Sequence, residues 1–441
     1  MKRYLTGVDW IIHTINHINK KETGVGNMFQ VVLQLKGTLD ETTLRECLNK
    51  FIKKFPVVNG RPMRNYNLAP YWKIYSNNKM LSPNIRTYRL DDNATFSKVL
   101  FTLEQGVNMP FNSIKEHLAF HLVHTGETSF LGVVFDHCLF DVRGAEAFLN
   151  MDYSQRISLT EPAHLCKWQE KFEAGKRVNR KLVQLSENKS RFLPLHSVVN
   201  NQGFKFKIIS LDKRQTSAII ETAYNKAGYL MLMPYALAIS MEALHSIFLK
   251  RGILTGDYII PVSIDTRPVE KVHQEIFFNH MSFFLLRVKA NEADSFSVLL
   301  QSIKQQIYDQ IKADLPADIE KASLLMRIAP LPVLSYLMRM PLKGQIASFC
   351  FSYIGESAYD SPMFMGKKIH NIFHMPRVPI PPGLGIFFNQ FQGKLNVVFS
   401  YLDEMLEKDE IDSIIHTLRS GLGVLTHTLL EGEAKEEEQN L

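Results

Sequence analysis

A histidine at the end of an apolar run is the residue best suited to chemistry in this sequence. The run FLGVVF at 130–135 is followed by Asp136 and His137, and Asp141 comes four residues after the histidine. A neutral imidazole at a strand end can act as a general base, and a nearby carboxylate can hold its loop in place. The same spacing also occurs in turns that only satisfy backbone groups. HxxxD alone therefore indicates a candidate general base without establishing one.

The elements around this motif are short strands and amphipathic helices. Segments 117–124 and 129–136 predict a hairpin, and 28–36 predicts a strand followed by a helix that Asp40 caps. In the second half of the chain, strands are predicted at 203–210, 258–264, 281–288, 385–392 and 394–401. Amphipathic helices separate several of these strands, while other strands are adjacent. The pattern predicts an α+β fold with two lobes.

Composition excludes several classes of protein. The chain has 441 residues, of which 45% are hydrophobic and 22% are charged, so collagen-like, disordered and disulfide-scaffold classes do not fit. Lys and Arg exceed Asp and Glu by 51 to 44, a net charge of +7 that indicates a mild preference for anionic partners but no nucleic-acid protein.

Cysteines and apolar segments indicate the cellular setting. The four cysteines are far apart and form no Cys/His cluster, so we expect no metal site, no disulfide framework and a cytoplasmic location. No signal peptide is predicted at the N-terminus. The apolar segment 229–249 is interrupted by Pro234, Glu242 and His245, and predicts a buried helix instead of a membrane span.

Further motifs give the HxxxD spacing its context. They are PVVNGR at 56–61, IPVSIDTRP at 260–268, FNH at 278–280, FSYIGE at 351–356 and a closing hairpin within 381–401. With His137 and Asp141, they resemble the chloramphenicol-acetyltransferase-like superfamily of HxxxD acyltransferases. That superfamily includes condensation domains, plant acyltransferases, wax ester synthases and polyketide-associated acyltransferases. The resemblance extends from about residue 8 to about residue 422.

This resemblance implies two similar lobes, each a mixed sheet flanked by helices, with an active-site tunnel between them. We expect an N-terminal lobe at 1–190 that carries the motif, a C-terminal lobe at 191–430 and a disordered acidic tail at 431–441. The basic, polar stretch 167–192 is a candidate linker or domain boundary.

The resemblance also implies roles for site residues. His137 would be the general base, and Asp141 would pair with Arg267 and hold the loop. Oxyanion donors could be Ser352, Asn279 or the backbone amides after His137; Ser352 could equally be an ordinary strand serine and Asn279 a turn residue.

Three positions depart from the family pattern. Asp136 replaces the first histidine of the motif, and Phe278 stands where glycine is common. Val142 and Arg143 displace Gly144 from the position directly after the motif aspartate, so the motif does not define tunnel width or substrate entry.

The implied activity is direct acyl transfer from a thioester to a hydroxyl or amine, in a monomer with no bound cofactor. Acyl-CoA or an acyl carrier protein would be the donor; a peptidyl carrier is also a candidate partner. Alternatives are an amide-forming condensation enzyme and a noncatalytic module that binds carrier-tethered chains. A basic cluster could attract a carrier or the phosphates of coenzyme A; it comprises Lys176, Arg177, Arg180, Lys181, Lys189 and Arg191. Segment 326–343 could make a weak membrane contact, although a lobe-packing helix is an alternative.

Overall fold

A computed structural model describes residues 2–75, 82–150, 167–194 and 203–424. The predicted acidic tail at 431–441 lies outside these residues. The described strands are β1 (Lys2–Tyr4), β2 (Met28–Lys36), β3 (Arg61–Arg64), β4 (Pro70–Lys73), β5 (Asn84–Arg89), β6 (Leu118–Thr125), β7 (Thr128–Asp136), β8 (Phe204–Leu211), β9 (Tyr258–Asp265), β10 (Met281–Val288), β11 (Cys350–Glu356), β12 (Met363–Phe364), β13 (Lys367–Pro376), β14 (Leu384–Phe391) and β15 (Lys394–Leu402).

Helices lie between groups of these strands along the chain. The described α-helices are α1 (Gly7–Thr23), α2 (Glu41–Lys54), α3 (Phe96–Val107), α4 (Val142–Leu149), α5 (Trp168–Ser186), α6 (Lys213–Ala227), α7 (Leu232–Lys250), α8 (Phe296–Lys312), α9 (Leu315–Met326), α10 (Leu331–Arg339) and α11 (Lys408–Gly421). Single-turn 3-10 helices lie at Pro56–Asn59, Val269–Lys271 and Ala290–Glu292.

The first large sheet carries the HxxxD motif at the end of a central strand. Its order is β12-β13-β2-β7-β6-β5, and β7 pairs antiparallel with both β2 and β6. The register places Asp136 opposite Met28, so His137 leaves the sheet beside the start of β2. The hairpin and the strand at 28–36 are confirmed, because alternating apolar residues and turn signals define them locally.

The second large sheet brings the second set of motif residues together. Its order is β10-β9-β11-β14-β15-β8. β9 and β10 are antiparallel, with Asp265 opposite Met281, so the segment 266–280 forms their connection and carries Arg267 and Asn279. The predicted closing hairpin is confirmed as β14 and β15, which turn at Gly393 with φ 76°.

Each sheet is flanked by helices, so the predicted α+β fold with two lobes is confirmed. The first sheet also includes β12 and β13, which come from the second half of the chain. β13 pairs antiparallel with β2 and places Ile372 opposite Leu33. These two strands tie the two halves of the chain together. The predicted division between lobes near residue 190 stays a prediction.

Of the two alternatives for 167–192, a linker is wrong for most of the stretch, and a domain boundary there stays a prediction. Residues Trp168–Ser186 form α5, which packs against α9 and buries Ala174 and Leu185. The Arg177 guanidinium donates two hydrogen bonds of 2.6 Å to Asp318 on α9. Charged residues outnumber apolar ones here, and they conceal the narrow apolar face that makes this a docked helix.

The apolar segment at 229–249 is a buried helix, as predicted. Within the described residues, α7 is the one helix that is long and apolar enough to cross a membrane, and 72% of its apolar window is buried inside the protein. It packs against α8 and α11 and belongs to the core of the second lobe.

Candidate active site

The His137 turn is held by backbone hydrogen bonds on both sides. The His137 amide donates to the Asn27 carbonyl at 3.1 Å. The Asp136 carbonyl accepts from the amides of Leu139 at 3.0 Å and Phe140 at 3.1 Å. The edge of the Phe29 ring packs on the imidazole, with ring centroids 5.2 Å apart. The position of the imidazole is therefore fixed before any substrate binds.

Asn279 fixes the tautomer of His137. Its side-chain Nδ2 donates to the His137 carbonyl at 3.1 Å and lies 3.4 Å from Asp9 Oδ1, so its Oδ1 must be the atom that faces the imidazole. That oxygen is 3.1 Å from His137 Nδ1. The ring nitrogen consequently carries a proton and donates it to Asn279. Nε2 is left as the basic nitrogen, and no hydrogen-bond partner for it occurs among the described residues.

The surroundings keep this imidazole neutral. Burial lowers the pKa of His137 below its usual value, and the nearby charge of Asp141 and the bond to Asn279 offset only part of that effect. The side chain is partly exposed, so it can still be approached from outside. A neutral, oriented imidazole with one free nitrogen is the state that a general base needs.

Asp141 joins the two lobes. Its Oδ1 and Oδ2 accept hydrogen bonds of 2.8 and 2.7 Å from the Arg267 guanidinium. It also caps α4 by accepting from the Gly144 amide at 2.8 Å, and it accepts from the His280 amide at 2.9 Å. Both carboxylate oxygens are thus engaged, so Asp141 positions the turn and is not the proton acceptor.

The charge of Asp141 depends on this pairing. Burial by itself would raise the pKa of Asp141, but the charge of Arg267 and the hydrogen bonds of Arg267 and His280 lower it. The Arg267 side chain is 1% exposed and also donates to the Glu275 carbonyl and to Asp265. The two lobes therefore meet at a buried, fully bonded ion pair.

The displaced glycine has a steric reason. A Cβ at Gly144 would lie 2.1 Å from the Ile276 carbonyl oxygen, which is too close for any other residue. Arg143, the residue before it, reaches β11 and donates to the Ile354 carbonyl at 2.5 Å and to the Glu356 carbonyl. The departure from the family pattern therefore adds a second contact between the lobes.

Asp136 anchors the other side of the turn within the first lobe. Its Oδ2 is 2.7 Å from His117 Nδ1, and its Oδ1 accepts from the Cys138 amide at 2.9 Å. His117 Nε2 is 3.0 Å from the Gly60 carbonyl. Acceptors therefore face both ring nitrogens of His117 and hold the ring in place. Burial alone would raise the pKa of Asp136, but the hydrogen bond and charge of His117 lower it to about 2.

The candidate oxyanion donors differ in whether their N–H or O–H hydrogen is already used in another hydrogen bond. The amides of Cys138, Leu139 and Phe140 are all hydrogen-bonded to Asp136, and the Asn279 amide hydrogens face His137 and Asp9. These N–H groups already donate to acceptors within the protein.

Ser352 is different, because its Oγ accepts from Ser263 Oγ at 3.0 Å and keeps its own hydrogen to donate. Ser263 lies on β9, the strand that leads to Arg267. Of the predicted oxyanion donors, Ser352 is the one whose hydrogen is not used elsewhere in the described structure.

Sequence reasoning missed Asp9. Its Oδ1 accepts from the Asn279 amide at 2.9 Å, and the residue is fully buried. The pattern Thr6-x-x-Asp9 is a capping-box signature, and the structure forms that box at the start of α1. The signature marks the helix start, but it gives no sign that Asp9 also supports a residue 270 positions away.

Only some of the cations of the predicted basic cluster are available to bind a carrier protein or the phosphates of coenzyme A. Lys176 pairs with Glu173 at 2.9 Å, and Arg177 pairs with Asp318. Arg191 is 2% exposed and donates to Tyr258 Oη. Three of the six cations are therefore engaged inside the protein or with neighbouring carboxylates.

The fold is that of two-lobed acyltransferases and condensation domains. Among solved structures, the chain is similar to a trichothecene 15-O-acetyltransferase from Fusarium sporotrichioides, with 12% identity, a TM-score of 0.69, and 96% of this chain and 94% of that chain covered. It is similar to the first condensation domain of the calcium-dependent antibiotic synthetase, with 11% identity, a TM-score of 0.68, and coverage of 96% and 95%.

A third similar structure is the wax ester synthase/diacylglycerol acyltransferase from Marinobacter aquaeolei VT8, with 12% identity, a TM-score of 0.59, and coverage of 96% and 98%. No protein-family model matches the chain, and no curated protein matches it by sequence. The predicted resemblance to the superfamily is confirmed at the level of the fold, over nearly the whole chain.

Proposed function

We propose that this protein is an acyltransferase that joins an acyl thioester to a hydroxyl or amine acceptor, with His137 as the general base. One observation carries the proposal: Asn279 holds the proton on Nδ1, and Nε2 has no partner among the described residues. Acetyltransferase, condensation-domain and wax ester synthase relatives of the same fold support the reaction class.

The proposed reaction needs no covalent acyl-enzyme. His137 Nε2 takes the proton from the acceptor O–H or N–H while the acceptor oxygen or nitrogen attacks the thioester carbonyl carbon. The tetrahedral intermediate then collapses, the C–S bond breaks, and the imidazolium returns the proton to the leaving thiolate. Cys138 is unsuited to be a nucleophile, because it is 2% exposed and burial raises the pKa of its thiol well above the usual value.

Ser352 is the proposed donor to the oxyanion. Replacing it with Ala should lower kcat by about ten- to a hundredfold with little change in KM, since the bond forms only as negative charge develops. Ser263→Ala is the matched control, because it removes the neighbouring hydroxyl and leaves the Ser352 O–H in place. Equal losses of kcat in the two variants would remove Ser352 from this role.

The donor is proposed to be acyl-CoA or an acyl group on a carrier protein, with no other cofactor. Ester and amide formation use the same base, so an amide-forming condensation is the second candidate within this mechanism. Condensation domains of the same fold support that candidate.

The test is acyl transfer by the purified protein, supplied with acyl-CoA and acyl-pantetheine donors and with alcohol and amine acceptors. Thiol release and product mass are measured together. His137→Ala should lower the rate by at least about a hundredfold. His416→Ala, which removes an exposed histidine from α11, is the control and should be unaffected. A rate unchanged in His137→Ala would contradict the assignment of the base, and no transfer above background by the unmodified protein would favour a noncatalytic binding module.

A further inference from the structure

Helix α10 presents an apolar face to solvent. Val333, Tyr336, Leu337 and Met340 follow an i, i+3, i+4, i+7 spacing, and their exposed fractions are 49%, 67%, 43% and 55%. The opposite face is apolar too, because Leu334 is fully buried. A surface helix ordinarily has one apolar face, turned to the core. The second stripe is exposed, so it is not part of the core formed by the described residues.

This helix is held firmly against the body of the protein. α10 packs along α1. Trp10 Nε1 donates to the Ala329 carbonyl just before α10 at 2.9 Å, and Arg339 lies 3.7 Å from Glu22 at its end. Its outward stripe is consequently a fixed surface.

A second element extends the same surface. The turn between β3 and β4 carries Tyr66 and Leu68, with exposed fractions of 105% and 51%. Arg64, at the base of that turn, donates to the Ile328 carbonyl at 3.0 Å and also to the Ala329 carbonyl. Ile328 is itself 49% exposed. We call this combined surface the α10 face; it comprises Tyr66, Leu68, Ile328, Val333, Tyr336, Leu337 and Met340.

The two segments that form the α10 face carry charge of one sign, and Glu22 of α1 is the acid that lies beside Arg339. The chain has no Asp or Glu between Glu46 and Asp91, and none between Glu320 and Glu356. Both parts of the face lie within these acid-free segments. The cations of the two parts include Arg64, Lys73, Arg327, Arg339 and Lys343. Arg64 and Arg327 are bonded to backbone carbonyls, so those bonds leave their charges uncompensated.

We propose that the α10 face docks on the surface of a bilayer that contains anionic lipids. Aliphatic side chains enter the boundary of the acyl chains, tyrosines sit at headgroup level, and Arg and Lys contact lipid phosphates. A second copy of the chain would set cations against cations at the same face, which disfavours self-association. This inference is independent of the proposed chemistry.

Flotation with vesicles tests the inference. The full chain is mixed with vesicles of phosphatidylcholine, or of phosphatidylcholine with phosphatidylglycerol. It should float with the phosphatidylglycerol vesicles at low salt and much less with phosphatidylcholine alone, and added salt should reduce binding. The double variant Leu337→Gln, Met340→Gln should bind at least about tenfold more weakly, because two apolar side chains no longer enter the bilayer.

A matched variant separates this face from general surface hydrophobicity. Tyr308 and Ile311 on α8 are each 60% exposed, so Tyr308→Gln with Ile311→Gln should leave flotation unchanged. Lys343→Glu should weaken binding to the anionic vesicles only. The proposal is overturned if the unmodified chain floats with neither vesicle, or if the α8 and α10 variants lose binding equally. It is also overturned if light scattering shows a dimer that the α10 variant dissociates.

Discussion

The two carboxylates that flank His137 are both held by basic side chains, but their partners differ. Asp136 pairs with His117 inside the first lobe, whereas Asp141 pairs with Arg267 from the second lobe. The Arg267 guanidinium stays charged whether or not its partner is present. The Asp136–His117 pair therefore holds the His137 turn within the first lobe. The Asp141–Arg267 pair fixes that turn to the second lobe.

Asp141→Asn should produce the largest loss of stability. The variant keeps a side chain of the same size but leaves the Arg267 charge, 1% exposed, with only the partly exposed Asp265 as its acidic partner. We expect the free energy of unfolding to fall by about 3 kcal/mol or more, measured by urea denaturation. Adding Arg267→Met should recover part of that loss. A change below about 1 kcal/mol would mean that the pair behaves as an exposed one.

Asp136→Asn should cost less, about 1 to 2 kcal/mol at neutral pH in urea denaturation, because the asparagine can keep one of the two hydrogen bonds of the carboxylate and leaves no guanidinium unpaired.

The pH dependence of unfolding tests the pairing of Asp136 with His117. The folded pKa of Asp136 is about 2, below its usual 3.8, so its stabilisation is present above the usual value and is lost as pH falls from about 4 to about 2. The unmodified protein should lose about 2 kcal/mol in this window through Asp136, and Asp136→Asn should show a smaller decline. Parallel declines would contradict the His117 pairing.

Asn279→Ala should lower kcat by about tenfold, since the imidazole loses the group that fixes its tautomer and orientation. Burial lowers the pKa of His137, and the bond to Asn279 opposes that shift. The acid limb of the kcat profile should therefore move to lower pH in the variant. Asn371→Ala, at a buried asparagine that bonds to Asn396, should change stability without moving this limb. A limb that stays in place in Asn279→Ala would argue for a purely structural asparagine.

The smallest predicted effect is the difference in stability between Phe278→Ala and Phe278→Gly. Its φ is 72°, a left-handed conformation that suits glycine, and its ring lies 3.6 Å from the Arg3 guanidinium carbon. Both Phe278→Ala and Phe278→Gly lose the ring, but glycine relieves the backbone. We expect the glycine variant to be the more stable by about 1 kcal/mol in thermal or urea unfolding. If the alanine variant were the more stable of the two, as is usual elsewhere, the backbone at Phe278 would not be strained.

Much of the fold could be predicted locally. The strands at 28–36 and 281–288 have the predicted bounds because their residue patterns end at clear turn or polar signals. Two features could not be foreseen. The strand at 367–376 joins the first sheet by a pairing that leaves no local trace, and α5 hides its two buried residues in a charged stretch.

The site was predictable in part. Asp141 and Arg267 meet in the turn that carries His137, as the resemblance to the superfamily implies. The strand end at His137 is readable from residue types, but the partner 126 positions away is not. The direction of the Asn279 amide is not readable, since it depends on Asp9 at the other end of the site. The three-dimensional arrangement therefore moves Asn279 from oxyanion donor to positioning residue.

The tautomer of His137 tests the central claim most directly. The ¹⁵N chemical shifts of the protein labelled at histidine report which ring nitrogen carries the proton, and the His137 signals are those missing from His137→Ala. At neutral pH we predict a protonated Nδ1 and an unprotonated Nε2. A proton on Nε2, or a doubly protonated ring at that pH, would contradict the assignment of His137 as an oriented, neutral general base.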